Sequence, residues 1–474
     1  MKQSDTPRQL EMNFIGTDGN VFKDRLDRAD FSVLLEIRVP SADSSLQAVV
    51  SKYSELERLA SSYEDFPCGL AFIDDHADFP SMNMGEFAAG LCKSGRDRHL
   101  LYLNGRDRSE EDIRYELGLF QYEGFTSFAA VSGMTPAALK NTLDHSWLES
   151  VRILKINSSL KKPLFAGCVA NPFKYTVTDC MMQTFKMTKK IHEGASFAVV
   201  QAGWDMVKLL ELRWRMFRRG QNIPLIARIL FLTPEKAEDI CAGKVPGITL
   251  STDLQQAIRK EMAHSMNQFE AAQLRRFQIH AAGAKFLGCS GIQISGIDRT
   301  ETAELLLNRL RDAMQEFPSF EDWRAAYNDY YSRIDLAPFP WHYYMFENPL
   351  AEGVTYENAK LMDDSLPECS FSERMNYRLS SLLLSHAGRM PASDRLFTKK
   401  LLVSCKENCS RCTLPENLYV CPGNCPKFMQ NGPCGETEPS GNCPNTHTEC
   451  IHAAKLRRAV TFNEYAALEE KIIE

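Results

Sequence analysis

The sequence predicts an α/β protein in which a (β/α)8 TIM barrel is followed by a small cysteine-rich metal-binding domain. Two observations support this fold class. Eight apolar segments alternate with helical patterns between residues 29 and 316, and eight of the 15 cysteines lie in one stretch near the end of the 474-residue chain. The alternation indicates parallel strands joined by crossover helices, and the clustering indicates metal ligands rather than scattered core cysteines.

Each predicted strand is a short, nearly continuous apolar run, as expected for a strand buried on both faces. We place the strands at residues 31–39, 68–75, 99–105, 126–133, 163–171, 195–201, 223–231 and 285–296. Helical patterns fill the intervals, among them residues 135–150 and a long helix over 253–282. A doubly wound open sheet is the competing fold. It would carry a glycine-rich phosphate turn after its first strand, and none follows Val39.

The pattern divides the chain into four parts. Residues 1–28 are polar and form a leader or a segment that caps the barrel, and residues 29–316 form the barrel. Residues 317–400 are a connecting segment, dense in aromatic side chains over its first half, and residues 401–474 are the cysteine-rich domain with a terminal helix.

Composition argues against two classes of partner. A net charge of −6 is unsuited to a nucleic-acid binder, which needs a clustered basic face. The sequence contains neither a signal peptide nor an apolar run approaching the roughly 18–20 residues of a membrane helix. We therefore expect a cytoplasmic protein without membrane insertion, in which cysteines stay reduced and free to bind metal.

The eight clustered cysteines are the candidate metal ligands, and they suffice for two sites of four ligands each. They are Cys405, Cys409, Cys412, Cys421, Cys425, Cys434, Cys443 and Cys450. Thiolate is the preferred ligand of both zinc and iron–sulfur clusters, so these residues alone leave the metal open. A disulfide-stapled tail is the weaker alternative, because disulfide frameworks belong to secreted chains.

Candidate catalytic residues of a barrel lie where its strands end. Glu36 is a carboxylate inside the first apolar strand, where burial raises a carboxyl pKa and suits a proton donor. The alternative is a salt bridge from Glu36 to an inward arginine such as Arg228. Gln201 ends the sixth strand and can bond a heterocycle or a structural partner, while Asp74 follows the second strand and is a candidate substrate ligand.

The third strand has polar residues at both ends. His99 opens it, and Arg106, Asp107 and Arg108 follow it. Three charges at a strand exit can face a phosphate or a flavin, or they can form an ion-pair network that fixes the loop. Asn171 stands at the exit of the fifth strand.

These residues and several longer segments resemble methylenetetrahydrofolate reductases from about Phe31 to Met314. The resemblance depends on Glu36, on the Arg106–Arg108 turn preceded by His99, and on GCVANPF (167–173), EGASFAVVQAGWD (193–205), VPGITL (245–250) and GIQISGI (291–297). The tail CPGNCPKFMQNGPCGETEPSGNC also resembles the cysteine-rich C-terminal domain associated with these reductases.

The resemblance implies a flavin at the barrel mouth, FAD with FMN as the alternative, and reduction of methylene- to methyltetrahydrofolate. It implies that Glu36 protonates the folate N10 and that Gln201 contacts the folate. It further implies that Lys190 binds the flavin phosphate, and that the Arg106–Arg108 turn lies beside the flavin. We add His99 and Asn171 to the predicted flavin site.

The chain departs from the family at the exit of the fifth strand, where Asn171 and Tyr175 replace an aromatic residue and a histidine of some relatives, and more importantly after the fourth strand. Where these reductases have an aspartate after the fourth strand, this chain has Met134. The alternatives are therefore a flavin barrel acting on another one-carbon carrier or in demethylation, and a catalytically silent metal-bound scaffold.

The cysteine-rich domain suggests how electrons enter. We expect them to pass through it from a ferredoxin-like or other redox protein, and we expect the chain to form a homo-oligomer.

Overall fold

The structure is a computed structural model that describes most of the chain. The described residues are 19–74, 80–135, 145–334, 336, 339–362, 365–385, 396–405, 409 and 411–473.

Eight parallel strands close into a barrel in which each strand pairs with the next and β8 pairs with β1. The strands are β1 (Ser32–Arg38), β2 (Cys68–Ile73), β3 (Leu100–Asn104), β4 (Ser127–Val131), β5 (Phe165–Ala170), β6 (Phe197–Val200), β7 (Leu225–Leu230) and β8 (Gly291–Ser295). The predicted (β/α)8 barrel is confirmed. Its strands are apolar throughout because helices cover the outer face while side chains fill the inside.

The helices of the barrel and its connecting segment follow the strands in order. They are α1 (Val21–Asp27), α2 (Leu46–Ser62), α3 (Met84–Leu91), α4 (Glu110–Tyr122), α5 (Ser150–Ser158), α6 (Val177–His192), α7 (Met206–Arg218), α8 (Pro234–Cys241), α9 (Thr252–His264), α10 (Met266–Phe286), α11 (Thr300–Glu316) and α12 (Phe320–Arg333). The C-terminal domain adds α13 (Phe371–Leu384), α14 (Leu396–Val403), α15 (Ile451–Phe462) and α16 (Ala466–Glu469).

Two predicted helices differ from the structure. The long helix over 253–282 is two helices, because Ser265 is extended (φ −171°) and its side chain caps α10 by accepting a hydrogen bond from the Gln268 amide. The helix predicted over 135–150 falls largely on residues 136–144, outside the described residues, and the helix observed before β5 begins only at Ser150. The eighth strand likewise begins at Gly291, later than predicted.

Helix α1 closes the N-terminal end of the barrel. Its Phe22 is fully buried and packs edge-on against Phe197, the first residue of β6. Asn20, which caps α1, donates a hydrogen bond to Ser127, the first residue of β4. The described part of the predicted N-terminal segment is thus a cap on the end of the barrel opposite to the strand exits.

The C-terminal domain covers the outer side of α6. Met182 and Phe185 of α6 form an apolar cluster with Leu418 and with Leu456 of α15. As a result α6 is buried between the barrel and the C-terminal domain. None of the described helices is long and apolar enough to cross a membrane.

Candidate functional site

A cavity of about 170 Å³ lies at the C-terminal ends of the strands. Its walls are apolar and its floor is polar. The walls include Val131, Val169, Val199 and Val200, and the floor includes Tyr102, Gln201, Arg228 and Gln293. The roof comes from the C-terminal domain through residues 433–436. Two parts of the chain that are far apart in sequence therefore enclose one site.

Glu36 and Arg228 form a bidentate ion pair at the floor, with nitrogen–oxygen distances of 2.6 and 2.7 Å. Burial by itself raises the pKa of the Glu36 carboxyl, but Arg228 together with hydrogen bonds from Ser295 and Gln293 holds that pKa below its usual value. The expectation of a raised pKa is therefore wrong. The carboxylate is ionised, and the salt bridge to Arg228 that we considered as the alternative is the arrangement observed.

The network continues across the barrel on both sides of the ion pair, and on one side it runs through Tyr102 and Gln293, which we did not predict. Tyr102 donates a hydrogen bond to the Gln293 side-chain oxygen at 2.6 Å, and Gln293 in turn donates to Glu36 at 2.6 Å. On the other side, Arg228 donates to the Gln201 side-chain oxygen at 3.0 Å. Gln293 stands inside the apolar run GIQISG, and a polar residue there was a signal as clear as Glu36 in its own strand.

Asp74 lies at the edge of the cavity, as its position after β2 predicted. Asn104 donates a hydrogen bond to its carboxylate at 2.8 Å, and Arg108 lies 3.6 Å from the same oxygen. These contacts fix the carboxylate where it can face a bound heterocycle. Its role as a substrate ligand stays a prediction.

The charged turn after β3 fixes its own loop. Asp107 bonds His145 at 2.9 Å and accepts from the Ser146 amide at 2.9 Å. Arg106 lies 3.6 Å from Asp107, and Arg108 donates to the Asn104 carbonyl at 2.8 Å. None of the three residues from 106 to 108 lines the described part of the cavity. The loop-fixing network is therefore the observed arrangement.

His99 lies at the wrong end of the barrel for a cofactor ligand. It precedes β3, is fully buried, and its Nδ1 accepts a hydrogen bond from the Leu70 amide at 3.0 Å. Burial lowers the pKa of His99 to about 3, so the ring is neutral. Its predicted place in the flavin site is corrected: it is a core histidine near the N-terminal end of the strands.

Lys190 and Asn171 both line the cavity, and both are already hydrogen-bonded to the backbone. The Lys190 ammonium donates to the Val169 carbonyl at 2.6 Å, and burial lowers its pKa to about 8. Asn171 donates to the carbonyls of Gly247 and Gly435 at 3.1 and 2.8 Å. Asn171 thus holds the roof to the exit of β5, while cofactor binding by either residue stays a prediction.

Glu436 is the charged group of the roof. Its carboxylate accepts from Lys427 at 2.6 Å and from the Thr135 hydroxyl at 2.7 Å. Lys427 also donates to the Gly133 carbonyl at 2.8 Å. This buried pair joins the C-terminal domain to the exit of β4. Met134 lies between Gly133 and Thr135 and lines the same cavity.

Three lysines bind the C-terminal domain to the barrel. Lys174, Lys186 and Lys189 are almost fully buried, and each donates to backbone carbonyls of that domain. In the opposite direction, Glu149 at the start of α5 accepts hydrogen bonds from the amides of Gln430 and Asn431. We call this contact region the seam.

The seam holds more buried cations than anions. Its buried lysines are Lys174, Lys186, Lys189 and Lys427, with Lys190 and Lys455 buried beside them, whereas its buried acids are Glu149, Asp179 and Glu436. Unpaired charge is costly in a protein interior. The excess of cations therefore suits an anionic group beside them, and four thiolates around a metal centre form such a group.

The eight cysteines fall into two neighbourhoods. Cys405, Cys412 and Cys421 share one apolar cluster, and Cys421 interacts with Cys405 and Cys409. We call these four the outer group. The inner group is Cys425, Cys434, Cys443 and Cys450. Burial, together with repulsion of the Cys425 thiolate by Cys434 and Cys443, raises the pKa of Cys425 to about 12. Cys450 interacts in the same way with Cys434 and Cys425.

The donor chemistry and the grouping fit two thiolate-ligated centres. In the part of the chain that the structure describes, however, no three metal-binding side chains converge on one point. The inner group adjoins the excess cations of the seam, and its Cys434 lines the cavity beside Gly435 and Glu436. Metal binding by these thiols stays a prediction.

Comparison with known families identifies the C-terminal domain. Residues 391–474 match the family described as methylene-tetrahydrofolate reductase C terminal. The resemblance seen in the tail sequence is therefore confirmed over these residues. No curated protein matches the chain.

Two solved structures illustrate more distant likenesses. The first is described as an uncharacterized protein from Clostridium thermocellum that binds two copies of 5-methyl-5,6,7,8-tetrahydrofolic acid, with 12% identity, a TM-score of 0.46, and coverage of 62% of this chain and 99% of that one. The second is 2,3-dimethylmalate lyase, a member of the PEP mutase/isocitrate lyase superfamily, with 9% identity, a TM-score of 0.33, and coverage of 62% and 84%. Neither likeness is close enough to carry an argument about function.

Proposed function

We propose that this protein is a flavin-dependent reductase of the methylenetetrahydrofolate type, which reduces methylene- to methyltetrahydrofolate with electrons that enter through its C-terminal domain. One observation carries the proposal: Cys434 of the inner group lines the same cavity as Gln201 and Arg228 of the barrel. The family of the C-terminal domain supports the substrate class. A thiol-ligated centre at Cys434 would adjoin the reacting molecule directly.

The reaction balances with two electrons and two protons. The bond between N10 and the methylene carbon breaks, a new C–H bond forms at that carbon, and N10 gains a proton. A flavin bound at the barrel mouth would supply hydride transfer to carbon, which one-electron centres cannot supply by themselves. Apolar walls and a polar floor suit a planar heterocycle, and Lys190 and Asn171 are the lining residues proposed to hold it.

The residues of the chain bind and orient the substrate. Arg228 presents its guanidinium to the cavity, and Glu36 fixes that guanidinium through two hydrogen bonds. Gln201 accepts from Arg228, which orients its amide at the cavity floor. Asp74 offers a carboxylate at the edge. We therefore assign Glu36 to positioning Arg228 rather than to donating a proton.

Glu436 bears on whether the usual folate can bind. The family resemblance implies a carboxylate after the fourth strand, where this chain has Met134. Glu436 brings a carboxylate to the same strand exit, since it is hydrogen-bonded to Thr135 and lines the cavity. The C-terminal domain thus supplies a carboxylate, paired with Lys427, at the strand exit where β4 has none, which favours folate over another one-carbon carrier.

Anaerobic purification of the full chain tests the proposal. We expect bound flavin, about eight irons per chain if the thiols hold two four-iron clusters, and methyltetrahydrofolate formed from methylenetetrahydrofolate with reduced methyl viologen as donor. A colourless protein that makes no methyltetrahydrofolate would contradict the reductase assignment. Zinc in place of iron would leave the barrel assignment standing and remove the electron route.

A further inference from the structure

Helix α13 exposes a continuous apolar stripe. Phe371, Met375, Leu379 and Leu382 follow one another at intervals of four, four and three residues, which places them on one helical face. Phe371 is 81% and Leu382 75% exposed, and Leu401 of the neighbouring helix α14 is 73% exposed. A row of large apolar side chains at this spacing is typical of a binding face rather than of scattered surface residues.

The stripe covers the outer group of cysteines. On the opposite side of α13, Leu384 is fully buried in the cluster that contains Cys405 and Cys421, and Tyr377 packs against it. Helix α14 joins the same cluster through Val403. A protein seated on the stripe would therefore be separated from the outer group by the thickness of helix α13, about 10 Å.

The surroundings of the stripe are basic. Arg378 on α13 and Lys400 on α14 are exposed, and neither has an acidic partner within the described residues. Glu373, the acid of α13, is paired with Arg457 at 2.8 Å. This patch is positive on a chain whose net charge is −6. An apolar centre with a basic rim complements a partner that has an acidic rim.

We propose that the stripe and its basic rim are the docking face for an acidic electron-carrier protein that reduces the outer group. This inference rests on the proposed function and names its partner. The carrier gives up two electrons in all, one at a time, and leaves oxidised, and the two electrons and two protons from solvent balance one methylene reduction. A second copy of this chain suits the face less well, because a two-fold contact would place Arg378 and Lys400 against their own copies.

The test compares a protein donor with a small one, on the anaerobically purified full chain. The donors are a reduced acidic two-cluster ferredoxin and reduced methyl viologen, which needs no docking. The variants are Leu382→Glu and Arg378→Glu, matched by Tyr122→Glu and Lys260→Glu on exposed positions of α4 and α9. We expect the first pair to lower ferredoxin-driven turnover about tenfold, since Leu382→Glu puts a charge in the apolar centre of the face and Arg378→Glu reverses a rim charge that acts on the association rate. Viologen-driven turnover should stay unchanged.

Each outcome decides something different. Equal ferredoxin-driven rates in all four variants, or rates insensitive to salt, would overturn the docking face while leaving the reductase intact. If the wild type shows no viologen-driven turnover, that result would instead count against the proposed function. A wild-type dimer that Leu382→Glu converts to a monomer in light scattering would show that a second copy covers the face, and would also overturn the proposal.

Discussion

The two cysteine groups of the C-terminal domain lie in opposite surroundings. The inner group adjoins the seam, where buried lysines outnumber acids and Cys434 reaches the cavity. The outer group is packed among apolar side chains beneath α13, whose far face is exposed. Nearby cations stabilise the more negative, reduced form of a metal centre. We therefore expect the inner group to have the higher reduction potential, so that electrons move from the outer group toward the barrel.

Removing one thiol from each group should show which step of electron transfer each group carries out. These two substitutions are expected to have the largest effect on turnover. Cys434→Ser should lower turnover about 100-fold with either donor, since losing a ligand costs at least as much as losing a second-shell partner. Cys421→Ser should abolish ferredoxin-driven turnover and spare viologen-driven turnover. Steady-state assays with both donors measure this, and identical losses in the two variants would show that the groups are equivalent.

The buried pair of the roof is the next test. Glu436→Gln leaves Lys427 buried without its carboxylate, which should weaken the seam by about 3–5 kcal/mol. Faster hydrogen exchange over residues 427–437 would report the loss. Glu438→Gln is the matched control, because Glu438 is less buried and its side chain has no hydrogen bond in the described structure. Equal exchange in both variants would mean that the pair does not hold the roof.

At the floor of the cavity, Glu36→Gln should lower the free energy of unfolding by about 3 kcal/mol at pH 7, because it leaves Arg228 without a carboxylate. The folded-state pKa of Glu36 is depressed. Its contribution is therefore present above the unfolded value of about 4.3 and is lost as the pH falls through the folded value. Denaturant unfolding at pH 7 and pH 4 should show the difference from wild type shrinking at the lower pH.

One result would contradict this assignment, and one control variant accompanies the test. A difference between wild type and Glu36→Gln that stays constant with pH would mean that the pKa of Glu36 is not depressed. Asp298→Asn, at an exposed position, should change neither stability nor its pH dependence.

The smallest expected effect is on the stability of helix α13, which covers the outer group of cysteines. Ser370 caps α13 in a reciprocal capping box with Glu373, so Ser370→Ala should destabilise that helix by about 1 kcal/mol. Because α13 is exposed on one face, we expect faster hydrogen exchange in α13 and unchanged exchange in the seam. Ser381→Ala, on the same helix but away from the cap, is the control. Spread of the effect into the seam would mean that the two groups do not respond separately.

Sequence patterns predicted the barrel because its strands are nearly continuous apolar runs, a signal that each strand carries by itself. The break at Ser265 was missed because its cap lies within a helical pattern on both sides. Glu36 and Arg228 were both recognised, but the sign of the pKa shift depends on three converging partners, and sequence does not give their distances.

The roof and the seam could not be predicted. Glu436 and Thr135 are hydrogen-bonded although they are 301 residues apart in the sequence, and no local sequence pattern predicts such a contact. The lysines of α6 look like the solvated face of an ordinary barrel helix until the C-terminal domain covers them. Gln293 is the exception, because a polar residue within an apolar strand is a visible signal in the sequence.

The burial of α6 has a consequence for how the protein can be divided. Lys186 and Lys189 find their carbonyl acceptors at Gly432, Pro433 and Ala467. A barrel made without the tail would lose those acceptors and would also expose Phe185 to water. The barrel and the tail should therefore behave as one unit of folding. If the two were encoded on separate chains, those chains would have to form a tight, permanent complex to remain soluble.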